Sequence, residues 1–133
     1  MSDSHPTIDV VAAIIEDRGR FLLARRLAGT HLEGMWEFPG GKCEPGETHE
    51  ACLQRELREE LDVESIVGPE ILVTEHAYPE RTVRLHFRTC AITRAPRAML
   101  GQALRWASRE DLGSIEFPPA DRALVDLLSR GRV

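Results

Sequence analysis

The run Arg55-Glu56-Leu57-Arg58-Glu59-Glu60 places carboxylates at i, i+3 and i+4, so on a helix Glu56, Glu59 and Glu60 share one face. Like charges at that spacing repel by roughly 0.2–0.5 kcal/mol per pair. Mg²⁺ offsets such repulsion, because it takes oxygen ligands and favours carboxylates together with substrate phosphates. For this run taken by itself, a solvated charged helix face is the alternative. Upstream, Pro39-Gly40-Gly41 breaks regular structure and a loop through Pro45-Gly46 delivers the chain to the acidic helix. That helix is expected over Glu47–Leu61, with Ala51, Leu53, Leu57 and Leu61 on its apolar side.

Around this helix the apolar pattern predicts a mixed α/β order. The β-branched run Ile8–Ile15 reads as a buried strand and Phe21–Arg25 as a second, the two forming a hairpin across Asp17-Arg18-Gly19-Arg20. Leu27–Gly34 is a loop and Met35–Phe38 a short extended piece. Ile66–His76 and Thr82–Thr93 are strands around a turn at Pro79-Glu80, and Gln102–Ala107 is another strand. Ser108 is a helix cap for a short turn at Arg109–Leu112. A last helix runs to about Ser129, with Leu124, Leu127 and Leu128 facing inward. A single layered domain over residues 7–133 follows, behind a flexible polar tail at 1–6.

At 133 residues the chain is long enough for one real core. Its net charge of -5 argues against a broad nucleic-acid surface, though a metal can supply positive charge locally for a polyanionic nucleotide. No apolar run has membrane-spanning length, and no signal-peptide pattern opens the chain. Cys43, Cys52 and Cys90 lack metal-ligand spacing and read as reduced thiols of a cytoplasmic protein. His5, His31, His49, His76 and His86 show no metal-ligand spacing either, so no zinc site is expected.

The stretch Gly41–Val63 resembles the Nudix box, G-x5-E-x7-R-E-U-x-E-E-x-G-U with U aliphatic. Gly41, Glu47, Arg55, Glu56, Leu57, Glu59, Glu60 and Val63 fall on the pattern, and Asp62 stands where the family has Gly. That Gly closes the helix in a left-handed conformation, which Asp reaches less readily than Gly. The resemblance extends to the MutT-like branch through Trp36-Glu37-Phe38-Pro39-Gly40-Gly41-Lys42, Phe117-Pro118-Pro119-Ala120, Arg25-Arg26 and the segment from Tyr78 to Phe87. It implies the Nudix fold, a mixed β-sheet sandwiched between α-helices.

The same resemblance implies a Mg²⁺-dependent nucleoside triphosphate pyrophosphohydrolase, with Mn²⁺ as a substitute ion. Glu56, Glu59, Glu60 and the Gly40 carbonyl are the expected metal ligands, and one of the glutamates or a water-linked group is the base. Arg55 and Glu47 are expected to orient the helix and loop as an ion pair. Gly41 and Lys42 approach the phosphates, Lys42 with a solvated lysine as the alternative. Arg26 and Arg81 approach the nucleotide, and Phe38 and Tyr78 wall its pocket. Asp121 stands where guanine-selective relatives have Asn. An ionised Asp accepts and does not donate, which suits cytosine N4 and also guanine N1 and N2; a first-turn helix acid is the alternative. Leu100 replaces a glutamate that joins the metal site in some relatives.

The expected role is cleavage of oxidised nucleotides such as 8-oxo-dGTP in nucleotide-pool sanitation. The alternatives are a cytidine-type pyrophosphohydrolase acting on CTP, dCTP or 5-methyl-dCTP, and a silent Nudix domain that binds a nucleotide without cleaving it. The expected partner is a small nucleotide, with no nucleic-acid polymer and no membrane, for a monomer or homodimer.

Overall fold

A computed structural model describes residues 6–131. Strands β1 (Thr7–Ile14), β2 (Glu16–Asp17), β3 (Arg20–Arg25), β4 (Trp36–Glu37) and β5 (Gly40–Lys42) precede helix α1 (His49–Leu61). Strands β6 (Ser65–Tyr78), β7 (Arg81–Ile92) and β8 (Leu104–Ser108) follow, then short 3₁₀ turns and helix α2 (Arg122–Ser129). One sheet has the order β5-β1-β7-β6, with β1 and β7 parallel and the other pairs antiparallel. In the second sheet β3 pairs with β2, β4 and β8. This is the expected mixed sheet between helices.

Alternation along β1 builds two cores. Val11, Ala13 and Ile15 point to α1 and meet Leu53, Leu57 and Leu61, all fully buried. Ala12 and Ile14 point the other way, to Phe87, Phe117, Leu124 and Leu128. Truncating one such leucine to Ala costs about 2–5 kcal/mol. Val125 rather than Leu127 completes the buried side of α2, and Cys52 rather than Ala51 that of α1. Among the described residues no helix is long and apolar enough to cross a membrane.

Several local expectations are corrected. The β1 and β3 runs do not form a hairpin: the chain changes sheets after Ile14, and the tight turn belongs to β2 and β3. Arg18 and Gly19 both have positive φ, 52° and 79°, the geometry of a two-residue hairpin turn. Gly40–Lys42 is a strand, not a break. It pairs with β1 at Val10, Val11 and Ala12, so closely that a side chain at Gly40 would overlap the Val11 carbonyl. Helix α1 starts at His49, because Thr48 caps it: its Oγ1 accepts from the Ala51 amide at 3.1 Å. Glu47 is thereby left in the preceding loop. Cys43 and Cys52 are joined in a disulfide, with Cα atoms 5.3 Å apart, so Cys90 is the free thiol. The expected tail lies outside the described residues except for Pro6, whose carbonyl accepts from the Thr82 amide at 2.9 Å.

Candidate active site

Strand β5 runs along the base of α1 and sets Gly40 and Gly41 against the helix carboxylates. A Cβ at Gly41 would overlap the Glu56 carboxylate, so the glycine is what lets Glu56 reach the loop. Glu56 is 9% exposed, and burial, reinforced by Glu59 and Glu47, raises its pKa despite Arg55. Glu60 is pushed further, to about 8, by burial first and then by Glu56 and Glu37, while a hydrogen bond from Gly40 opposes the shift. Glu59 is more exposed, and its Oε1 accepts from Arg55 Nη1 at 3.1 Å.

Arg55 is the hub behind these groups. Its Nε and Nη2 donate to the two carboxylate oxygens of Glu47 at 2.7 and 3.0 Å, and Nη2 also donates to the Lys42 carbonyl at 3.2 Å. The Arg55 bonds and the Glu44 amide lower the Glu47 pKa to about 2. One guanidinium thus joins the β5 end, the loop and the helix. At the far end of α1, Gln102 is buried and its Nε2 donates to the Glu60 carbonyl at 3.1 Å. Leu100 is half exposed and brings no carboxylate.

These groups open into a cleft of about 470 Å³, within the range of small-molecule sites. Gly40, Gly41, Lys42, Glu56 and Glu60 line one end. The sheet forms the floor through Val10, Ala12, Val83 and Leu85. Arg26, Glu37, Tyr78, Arg81 and Asp121 line the other end. Phe38 is both wall and core: it stacks on Phe117 at 5.6 Å and meets Phe87 edge-on at 5.9 Å. Tyr78 is flanked by His31 and His76, with ring centroids 4.8 and 4.7 Å away.

Two features of this end escape a reading of the sequence. Glu37 pairs with Arg26 Nη1 at 2.9 Å, yet burial raises its pKa. A carboxylate inside the run Trp36–Phe38 was the available signal. Asp121 is 3% exposed and makes no helix-capping bond. Burial, with Glu37 adding to it and Arg26 opposing, raises its pKa to about 8. Burial therefore favours the neutral form of Asp121, a carboxylic acid with one donor plus an acceptor, over the ionised form that only accepts. The Thr74 hydroxyl holds its turn by donating to the Ala120 carbonyl at 2.7 Å.

The donor set fits a hard cation. Glu56 and Glu60 offer carboxylate oxygens, Glu56 raises the pKa of Glu60, and the cleft sets both beside Gly40. A divalent ion would relieve that repulsion and complete its shell with waters and phosphate oxygens.

Comparison with known proteins agrees with this geometry. Residues 10–127 match a model described as a NUDIX domain. A CTP pyrophosphohydrolase of Escherichia coli strain K12 is 41% identical over 90% of this chain and 89% of its own length. An 8-oxo-dGTP diphosphatase of the same strain is 32% identical over 90% and 94%. The crystal structure of a MutT protein from Methanosarcina mazei Go1 superposes with a TM-score of 0.87 at 25% identity, over 98% of each chain. The chain belongs to the Nudix hydrolase family, with MutT-like relatives in both sequence and structure.

Proposed function

We propose that this Nudix hydrolase cleaves nucleoside triphosphates to the monophosphate and pyrophosphate, using Mg²⁺, with Mn²⁺ as a substitute. The carrying observation is the pair of buried Glu56 and partly buried Glu60 over Gly40–Gly41, in a cleft whose cationic side chains lie mostly toward the other end. Glu56, Glu60 and the Gly40 carbonyl would hold the ion, and Glu59 would join them on releasing Arg55. Bound there, Mg²⁺ neutralises phosphate charge and makes water a better nucleophile.

The residues around it position the reactants, which is most of what phosphoryl transfer needs. Arg55, through Glu47 and the Lys42 carbonyl, keeps loop and helix in register. Lys42 and Gly41 meet the phosphates. Glu56 and Glu60, which face the cleft, are better placed than Glu59 to take a proton from water. Arg26, Arg81, Tyr78 and Phe38 frame the base, and Asp121 reads its edge. The activity would serve nucleotide-pool sanitation in the cytoplasm, in a monomer or homodimer, with oxidised nucleotides such as 8-oxo-dGTP as substrates.

A cytidine-type preference is the second reading. It is favoured by the higher identity to the relative named for CTP and by Asp121. A protonated Asp121 could donate to cytosine N3 while accepting from N4, so one carboxyl would span that edge. Pyrophosphate release with and without Mg²⁺ tests the activity, and its absence with every nucleotide would leave a silent binding domain. Relative kcat/KM for 8-oxo-dGTP, dGTP, dCTP, 5-methyl-dCTP and dTTP decides the base.

A further inference from the structure

On the opposite face of the β1–β7 sheet from the cleft, Asp9, His49 and His86 converge. Their ligand atoms all lie within 4.8 Å of one another. The side is set by strand alternation: Val10, Val83 and Leu85 line the cleft, so Asp9 on β1 and His86 on β7 face α1. His49, the first residue of α1, covers His86 with ring centroids 4.1 Å apart. His86 is 8% exposed.

We propose that Asp9, His49 and His86 form a second, Zn²⁺-type metal site that staples the start of α1 to the sheet. The hydrogen bonding of His86 carries the argument. Its Nε2 lies 2.9 Å from Asp9 Oδ1 and its Nδ1 lies 3.1 Å from Glu70 Oε1. A neutral imidazole has one N–H, so it cannot donate to both carboxylates. Either the ring carries two protons, or a metal takes Nε2 together with Asp9 while Nδ1–H donates to Glu70. The second arrangement is the carboxylate–histidine–metal relay that orients ligating imidazoles.

Glu70 is brought there by an irregularity in strand pairing. The β6–β7 register shifts on both sides of it, between Val67 and Glu70 and again between Glu70 and Leu72. Such shifts re-aim side chains. Charge also favours an ion. Asp9 and Glu70 bring two carboxylates to the imidazoles, and the nearby Arg84 is engaged at 2.8 Å by Glu75 while standing 3.9 Å from Asp9. Two imidazoles and one carboxylate suit Zn²⁺ and not Mg²⁺, with water in the fourth position. Linear spacing could not show this set, since its members come from β1, α1 and β7.

The test is Zn²⁺ binding by calorimetry to the whole chain without reductant, so that Cys43–Cys52 stays closed, with Co²⁺ absorption as the coordination readout. A Glu56→Gln/Glu60→Gln background removes competition from the cleft. One Zn²⁺ per chain is expected there, with a tetrahedral Co²⁺ spectrum and a rise in melting temperature. His49→Gln and Asp9→Asn should each weaken Zn²⁺ at least tenfold and abolish the rise, with far-UV circular dichroism unchanged. Glu70→Gln should weaken it about 10- to 100-fold, the scale of such outer partners. If Asp9→Asn does not fold, the partly buried His49 decides. No Zn²⁺ bound in the glutamate background, or unchanged affinity in His49→Gln, would overturn the proposal. Pyrophosphohydrolase activity enters none of these readouts.

Discussion

The two ends of the cleft are built in different ways. The α1 end takes its acidic groups from one helix and its glycines and lysine from the strand just before it, within Gly40–Glu60. The base end draws Arg26, Glu37, Tyr78, Arg81 and Asp121 from five places in the chain. At the first end helical periodicity does the positioning. At the second, position and protonation both depend on what packs around each group. The α1 end should therefore fail as a unit when one part is changed, whereas the base end should change preference.

The largest expected effect tests that unity. Glu60→Gln and Glu59→Gln keep shape and remove charge, and each should lower kcat about 10²-fold or more, the scale of electrostatic and acid–base groups. Near-parental turnover for both at saturating Mg²⁺ would end the metal-site reading. Next, Gly41→Ala should cost at least about tenfold in kcat with little change in melting temperature. The added methyl would displace the end of a flexible side chain, Glu56, rather than backbone, and misplacement by about 1 Å can cost up to about 100-fold. A folded variant with parental kcat would show that Glu56 need not sit against β5.

Asp121→Asn should act on ranking. A hydrogen bond to a charged group is worth about 1.5–3 kcal/mol, or roughly 10- to 100-fold in relative kcat/KM. A neutral acid comes nearer the amide, so the lower end of that range is expected across 8-oxo-dGTP, dGTP, dCTP, 5-methyl-dCTP and dTTP. A uniform change across the panel would reduce Asp121 to a helix-start residue.

The same variant reports on protonation. The folded pKa of Asp121 is raised from 3.8 to about 8, so between those values the unfolded chain binds fewer protons there and stability falls as pH rises. The melting temperature of Asp121→Asn, minus that of the parent, should grow from pH 4 to pH 8 and level off above. A flat difference would mean that the carboxyl is ionised throughout.

The smallest effect lies at the helix terminus. Asp62 is left-handed, with φ 56° and ψ 45°, as the box predicts for this position. Glycine there would gain up to about 1 kcal/mol. The Asp62 carboxylate also lies 3.5 Å from Arg94 and 3.4 Å from Arg97, exposed pairs worth about 0–1 kcal/mol. Asp62→Gly should therefore shift the melting temperature by less than about 3 °C at low salt, and more favourably at high salt, where those pairs are screened. A large loss at both salt concentrations would give Asp62 a structural role beyond these contacts.

What the sequence determined by itself was local. The shared face of Glu56, Glu59 and Glu60, the Ser108 cap and the left-handed end at Asp62 each depend on residues a few positions apart, where backbone geometry leaves few choices. Tertiary structure decided the rest. It paired β1 with β7 rather than β3, made a strand of the glycines at 40–41 and joined Cys43 to Cys52. It also gathered Asp9, His49 and His86, and buried Asp121 beside Glu37. The physical reason is common to all of these. Strand partners, thiol pairing, ligand convergence and the desolvation that sets a pKa are properties of neighbours in space, and those neighbours exist only once the sheets and helices have packed.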